Sequence, residues 1–262
     1  MAAVILLAVT LSLWEAVLVV LAGMGAGGVN AVIGSGSLIT FPTLLAVGYT
    51  PVVANVSNNI GLVPGSVAGV YGFRRELEGQ GRRARTMAVA SGLGGLTGAT
   101  LLLVLPSEVF DAVVPVLVLM ACGLMLAQPR LSVWVAARRP EGARDVGPAP
   151  LALAFLAGIY GGYFGAAQGV ILLAVLAVFV PDEMKRSNAL KNVLAGTVNA
   201  VAAVVFILFA EVAWVAVALV ALGATVGGSL GAGIGRRVPP NVLRMMVVVL
   251  GVIVAVKLIL DS

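Results

Sequence analysis

Apolar residues run along this chain in blocks of about twenty, separated by short polar or Gly/Pro-rich stretches, which predicts a series of hydrophobic helices. The blocks place helices at 6–33, 37–48, 51–74, 84–105, 107–127, 149–165, 168–180, 182–209, 212–234 and 239–260. Two are short for a ~30 Å hydrocarbon core at about 1.5 Å of rise per residue: 37–48 and 168–180. Each follows a break of small residues, Gly34, Ser35, Gly36 and Ser37 in one case and Gly165, Ala166, Ala167, Gln168 and Gly169 in the other. Both are expected to be the returning arm of a helical hairpin. The pattern leaves open whether the hairpin tips stop at mid-membrane, since 6–33 is much longer than 149–165.

Composition turns these helices into membrane spans, because 61% of the 262 residues are hydrophobic and only 10% are charged, against about a quarter charged in soluble domains. One lipid-embedded, multi-pass domain is expected. The first 25 residues lack a basic segment, and their apolar run continues to Val32, so they are expected to be mature structure rather than a cleaved signal. Cys122 has no second cysteine to pair with and the chain has no His, so neither an intramolecular disulfide nor a Cys/His metal cluster is expected. The net charge of +5 does not indicate nucleic acid, because 14 of the 16 basic residues fall in four segments between helices, where they act as topology signals.

An internal repeat divides the chain. A spacing of 133 residues pairs Asn55 with Asn188, Asn58 with Lys191, Asn59 with Asn192 and Ser66 with Asn199. It continues through Gly94, Gly95, Gly98 and Ala99 against Gly227, Gly228, Gly231 and Ala232, and through Pro106 against Pro239. Upstream, Gly34 pairs with Gly165 at a spacing of 131, the difference falling near Pro51 and Pro181. Basic residues then orient the spans, since short loops rich in Arg and Lys stay cytoplasmic. The segments with Arg74, Arg75, Arg82, Arg83 and Arg85, with Arg130, Arg138, Arg139 and Arg144, with Lys185 and Arg186, and with Arg236, Arg237 and Arg244 are placed inside. Those with Glu108 and Asp111, with Glu211 and with Asp261 are placed outside. Equivalent loops of the two repeats carry opposite signs, so the halves are expected to be inverted, an arrangement secondary transporters use. The predicted fold is an all-α polytopic membrane protein of two inverted repeats, 1–127 and 149–262. Each is a helical hairpin with a short arm plus three transmembrane helices, joined by a cytoplasmic linker at 128–148, with both termini extracytoplasmic.

Broken backbone at membrane depth must lie beside protein, water or a ligand, and breaks in matching positions point to a binding site. Gly34, Ser35, Gly36, Ser37 and Gln168 are therefore candidates, with helix N-termini whose unpaired amides suit an anion. Asn55 and Asn59 lie four apart, as do Asn188 and Asn192, with Asn199 seven further on, so each set forms a polar stripe on one helix face. Such stripes also serve plain interhelical hydrogen bonding. Lys191 lies about ten residues beyond Pro181, roughly 15 Å deep and near the midplane, where a cation is expensive unless it meets a cavity, a partner or a ligand. Glu15 is the acid placed to pair with it or to sit at the outer interface. Asn58 stands at the position equivalent to Lys191. Glu15 and Lys191 are the candidates for proton coupling, and Lys257 is expected to snorkel.

These residues resemble the sulfite exporter TauE/SafE family, also called toluenesulfonate uptake permeases, over nearly the whole length. The resemblance rests on the break and short Pro-containing arm from Gly34 to Pro42, on Ala54 to Gly61, and on the run from Arg186 to Gly196, of which Asn188 to Gly196 is the most specific part. The break often reads as a run of glycines in that family, whereas here Ser35 and Ser37 intervene and the second break carries Gln168. The resemblance implies transport of sulfite or organosulfonate-type anions across the bacterial inner membrane, typically outward, without a cofactor. The expected partners are a small anion and the lipid bilayer, with no nucleic acid; a homo-oligomer is open to the chain.

Other classes fit less well. A cation or metal transporter should place carboxylates, thiols or imidazoles at mid-depth, where Glu15 alone is available. An enzyme would need a nucleophile with a base, or a metal; with no His to serve, a Ser–Lys pair is the option left, and no enzyme is expected. Gly23, Gly25 and Gly28 satisfy G-x-G-x-x-G but follow no strand, so no dinucleotide site is expected. No nucleotide-binding motif appears, which leaves proton symport, antiport and passive flux as the modes of energy coupling.

Overall fold

The computed structural model describes residues 11–137, 146–180, 182–234 and 240–261. Pro181, Arg138, Arg139, Arg144, Arg236, Arg237 and Pro239 lie outside them. The described residues form ten α-helices: α1 Leu13–Val32, α2 Ser37–Ala46, α3 Pro51–Gly72, α4 Gly81–Val104, α5 Ser107–Ala137, α6 Pro148–Tyr163, α7 Gln168–Phe179, α8 Met184–Phe209, α9 Trp214–Ile234 and α10 Pro240–Asp261. A short 3-10 turn, Arg74–Leu77, precedes α4. Leu13–Val32, Gly81–Val104, Ser107–Arg130 and Met184–Phe209 are each long and apolar enough to cross a membrane.

The helix boundaries differ from the hydrophobic pattern for identifiable reasons. Helix α1 starts at Leu13 because Ser12 and Glu15 form a reciprocal capping box, which satisfies donors that hydropathy does not register. Helix α5 runs to Ala137, ten residues past the predicted end. Polar residues from Gln128 onward end the apolar block, but good helix formers such as Arg and Leu continue the backbone ladder. Pro51 and Pro148 occupy the first positions of α3 and α6, where the missing N–H loses nothing.

The two halves interlock. Helix α1 packs along α9 and α4 along α6; α3 packs on α9 and α8, α8 on α4, and α5 on α10. Exchanging α1–α5 with α6–α10 maps the α1–α9 pair onto α6–α4 and the α3–α9 pair onto α8–α4. Glycines bring these backbones together: an added Cβ would overlap the Ala224 carbonyl from Gly27, that of Ser91 from Gly158, that of Phe155 from Gly94 and that of Met24 from Gly227. The spacings of 131 and 133 residues seen in the sequence relate these contacts to each other, Gly27 to Gly158 and Ser91 to Ala224, then Met24 to Phe155 and Gly94 to Gly227. Close approach of this kind is what holds helices together where the surrounding lipid is as apolar as the side chains. The outward faces carry large apolar residues such as Val89 and Leu93 on α4, Val204 and Leu208 on α8, and Ile253 on α10, a surface suited to hydrocarbon rather than water.

Candidate functional site

Both hairpin tips turn through glycine. Gly34 has φ +87° and Gly165 φ +77°, left-handed values that glycine adopts without penalty. Ala167, with φ 59°, is the non-glycine residue among those described that shares this conformation. The tips meet: the Gly169 amide donates to the Gly34 carbonyl at 3.1 Å, and a Cβ at Gly34 would stand 2.6 Å from the Gly169 Cα. The two breaks therefore lie at one depth inside the molecule, back to back.

A narrow cavity of about 440 Å³, counting its open mouth, adjoins this contact. Of the expected residues, Gly34, Ser37, Gln168, Lys191, Asn192 and Asn199 line it. Ser35, Gly36, Asn55, Asn58, Asn59 and Asn188 are not among its lining residues. Asn30 also borders the cavity, and sequence reasoning missed it. The available signal was an isolated amide in an apolar helix, four residues before the first break.

Lys191 is 1% exposed, and its Nζ donates to the Asn30 carbonyl at 2.9 Å. Among the described residues no carboxylate lies within ion-pair distance of it; the ion pairs there join Asp182 to Arg83 and to Arg186. Glu15 does not reach Lys191. Its carboxylate accepts from the Ser12 amide and hydroxyl, each at 2.8 Å, and a rise of roughly 22 Å along α1 separates it from Asn30. Of the two groups expected to couple transport to protons, Lys191 alone lines the cavity.

The asparagine stripes divide between two tasks. Asn188 and Asn192 donate to the Ala31 carbonyl at 2.9 and 3.2 Å, and Asn55 donates to the Tyr163 carbonyl at 2.9 Å. These carbonyls end α1 and α6, where the helical ladder stops short. Asn58 accepts a short hydrogen bond from the Thr40 hydroxyl, and Ser35 contacts the Met125 sulfur at 3.4 Å. Asn59 reaches Asn199 at 3.5 Å. The buried atoms left without a hydrogen-bond partner include Gln168 Nε2, Asn59 Oδ1 and Asn188 Oδ1.

The helix starts differ from expectation. The Gly36 amide donates to Asn30 Oδ1 at 2.7 Å, and the Leu38 and Ile39 amides to Ser35 and Gly36 carbonyls. The Gln168, Gly169 and Val170 amides have acceptors in Gly165, Gly34 and Ala167. The first amides of α2 and α7 are thus largely engaged by the protein, through 3-10-like turns at each break and through the Asn30 side chain and the Gly34 carbonyl. Side chains, led by Lys191, carry the free hydrogen-bonding capacity of the cavity.

The family model for sulfite exporter TauE/SafE matches residues 19–258. The chain belongs to that family. A probable membrane transporter protein of Escherichia coli strain K12, YfcA, is 26% identical over 240 residues, covering 91% of this chain and 87% of the relative. A probable membrane transporter protein of Haemophilus influenzae is 26% identical, with 92% of each chain covered. One from a Sinorhizobium species, named for ORF9, is 24% identical, with 90% of this chain and 89% of the relative covered. No solved structure matches. As a TauE/SafE member built of long apolar helices, the chain is a multi-pass membrane transporter.

Proposed function

We propose that this TauE/SafE transporter moves small sulfur-containing anions of the sulfite or organosulfonate type, outward across the bacterial inner membrane. The anion binds mid-membrane in the cavity between the two hairpin breaks. The observation that carries the reading is Lys191, a lysine buried in the cavity wall with no carboxylate beside it among the described residues. A buried ammonium lacking a counterion is strongly disfavoured, and an anion that enters the cavity supplies the missing charge. Halves at 1–127 and 149–262 of opposite orientation, joined by a cytoplasmic linker at 128–148, would give such a central site an exit to either side.

Flux of labelled sulfite in proteoliposomes tests this. Lys191→Gln is expected to reduce flux to that of protein-free liposomes while the protein still elutes as a folded species. Wild-type flux in that variant would remove Lys191 from the mechanism. The opposite orientation of the halves is tested separately by thiol labelling of cysteines introduced at Arg75 and at Glu211, in equivalent turns of the two repeats, which should react from opposite sides of the membrane.

A further inference from the structure

The fixed charge around the cavity has a definite size. Of its lining residues among those described, Lys191 alone is ionisable. The matching position in the first half is Asn58, a neutral side chain engaged by Thr40. The helix ends add little net charge, because each break is at once the C-terminus of one helix and the N-terminus of the next. The partial negative charge ending α1 or α6 opposes the partial positive charge starting α2 or α7. Lys191 itself sits at the end of α1, where its Nζ bonds the Asn30 carbonyl at 2.9 Å. At the end of α6 the Tyr163 carbonyl receives the uncharged amide of Asn55, as the Ala31 carbonyl at the end of α1 receives that of Asn188. The first amides of α2 and α7 are mostly committed, so the backbone has little capacity to stabilise a second negative charge.

We propose that the cavity is matched to one negative charge: it takes small oxyanions carrying a single charge, sulfonates and the protonated form of sulfite (hydrogensulfite) among the sulfur-containing ones, and rejects dianions of the same size such as sulfate. This rests on the reading of the cavity as an anion site. A monoanion neutralises Lys191, whose ammonium keeps two protons for ligand oxygens beyond the one given to Asn30. Gln168, 3% exposed and with Nε2 unpartnered, is a second candidate donor once its carboxamide turns towards a ligand. A dianion would leave one charge uncompensated in a low-dielectric site, which is heavily penalised.

Calorimetric titration of the full chain in nanodiscs with methanesulfonate, perchlorate and sulfate, at constant ionic strength, tests the inference. Perchlorate has the four oxygens of sulfate and half its charge, so it separates charge from recognition of a methyl group. Methanesulfonate and perchlorate are expected to bind at least tenfold more tightly than sulfate, and Asn199→Lys, which adds a second cation on the cavity wall, to narrow that gap. Sulfate binding as tightly as the monoanions overturns the inference, as does perchlorate behaving like sulfate. If none of the three binds to folded wild-type protein, the anion site itself is wrong.

Discussion

The two hairpins are related by sequence and joined back to back, yet they are not equivalent. Position 191 holds a buried lysine where the first half holds Asn58, and the break before α7 carries Gln168 where the break before α2 carries Ser37. Lys191, Gln168 and Ser37 all line the cavity, whereas Asn58 is not among its lining residues. A duplicated scaffold can thus supply matched hairpins beside one cavity while divergence at a single pair of positions, Asn58 against Lys191, puts the charge on one side. The repeat supplies the geometry, and the departures from it supply the chemistry.

The largest expected effect contrasts Lys191 with its counterpart. Lys191→Ala should abolish anion flux in proteoliposomes, while Asn58→Ala should retain at least a tenth of wild-type flux. Comparable losses in both variants would mean that the halves share the binding task. Next come the break glycines. Gly34→Ala would force a Cβ to 2.6 Å from the Gly169 Cα at a φ of +87°, whereas in Gly165→Ala the nearest atom is the Gly161 carbonyl oxygen at 3.0 Å. Left-handed backbone alone costs a non-glycine residue about 1–2 kcal/mol. Gly34→Ala adds a backbone overlap to that, so its thermal midpoint in detergent should fall clearly further than that of Gly165→Ala.

A smaller difference separates the asparagines that hold the ends of α1 and α6. Asn55 is the side chain that donates to the Tyr163 carbonyl, while the Ala31 carbonyl receives both Asn188 and Asn192. Leaving a buried acceptor unsatisfied costs about 1–3 kcal/mol. Asn55→Leu should therefore destabilise more than Asn188→Leu in denaturation followed by tryptophan fluorescence.

The smallest effect belongs to the turns that follow the short arms. In the second half, Asp182 accepts from Arg83 at 2.7 Å and Arg186 at 2.8 Å, tying the start of α8 to the start of α4. Partial burial raises the Asp182 carboxyl pKa, but hydrogen bonds and charge from both arginines outweigh it and hold it below the ordinary value. With the folded value depressed, the stabilisation is fully present above the unfolded carboxyl pKa of about 3.9 and is lost as pH falls through the folded value. Asp182→Asn should remove about 1 kcal/mol or less at neutral pH and flatten the stability profile in acid. The first-half turn around Gly48 has no ion pair among the described residues, so neutral substitutions there should leave the acid profile unchanged.

Much of the architecture was legible because a membrane imposes long-range order on a sequence. Block length, breaks at Gly34 and Gly165, and the 133-residue spacing identified the helices, the short arms and the repeat without any contact being known. Chain-local chemistry shifted the boundaries: the Ser12–Glu15 capping box begins α1, and helix propensity carries α5 past its apolar block. Lys191 was legible as a functional candidate because a charge inside an apolar block of a membrane protein is costly wherever the chain goes.

The identity of its neighbours was not legible. Asn30 lies 161 residues from Lys191, and the Gly34–Gly169 contact joins residues 135 apart; no local pattern specifies either pairing. Tertiary packing decided that Asn55 and Asn188 hold the ends of broken helices and that the Gly169 amide is taken by the Gly34 carbonyl. Periodicity and composition determine which segments enter the bilayer, since transfer of each segment is nearly independent of the others. Which polar groups remain free is set by the contacts made after the helices assemble.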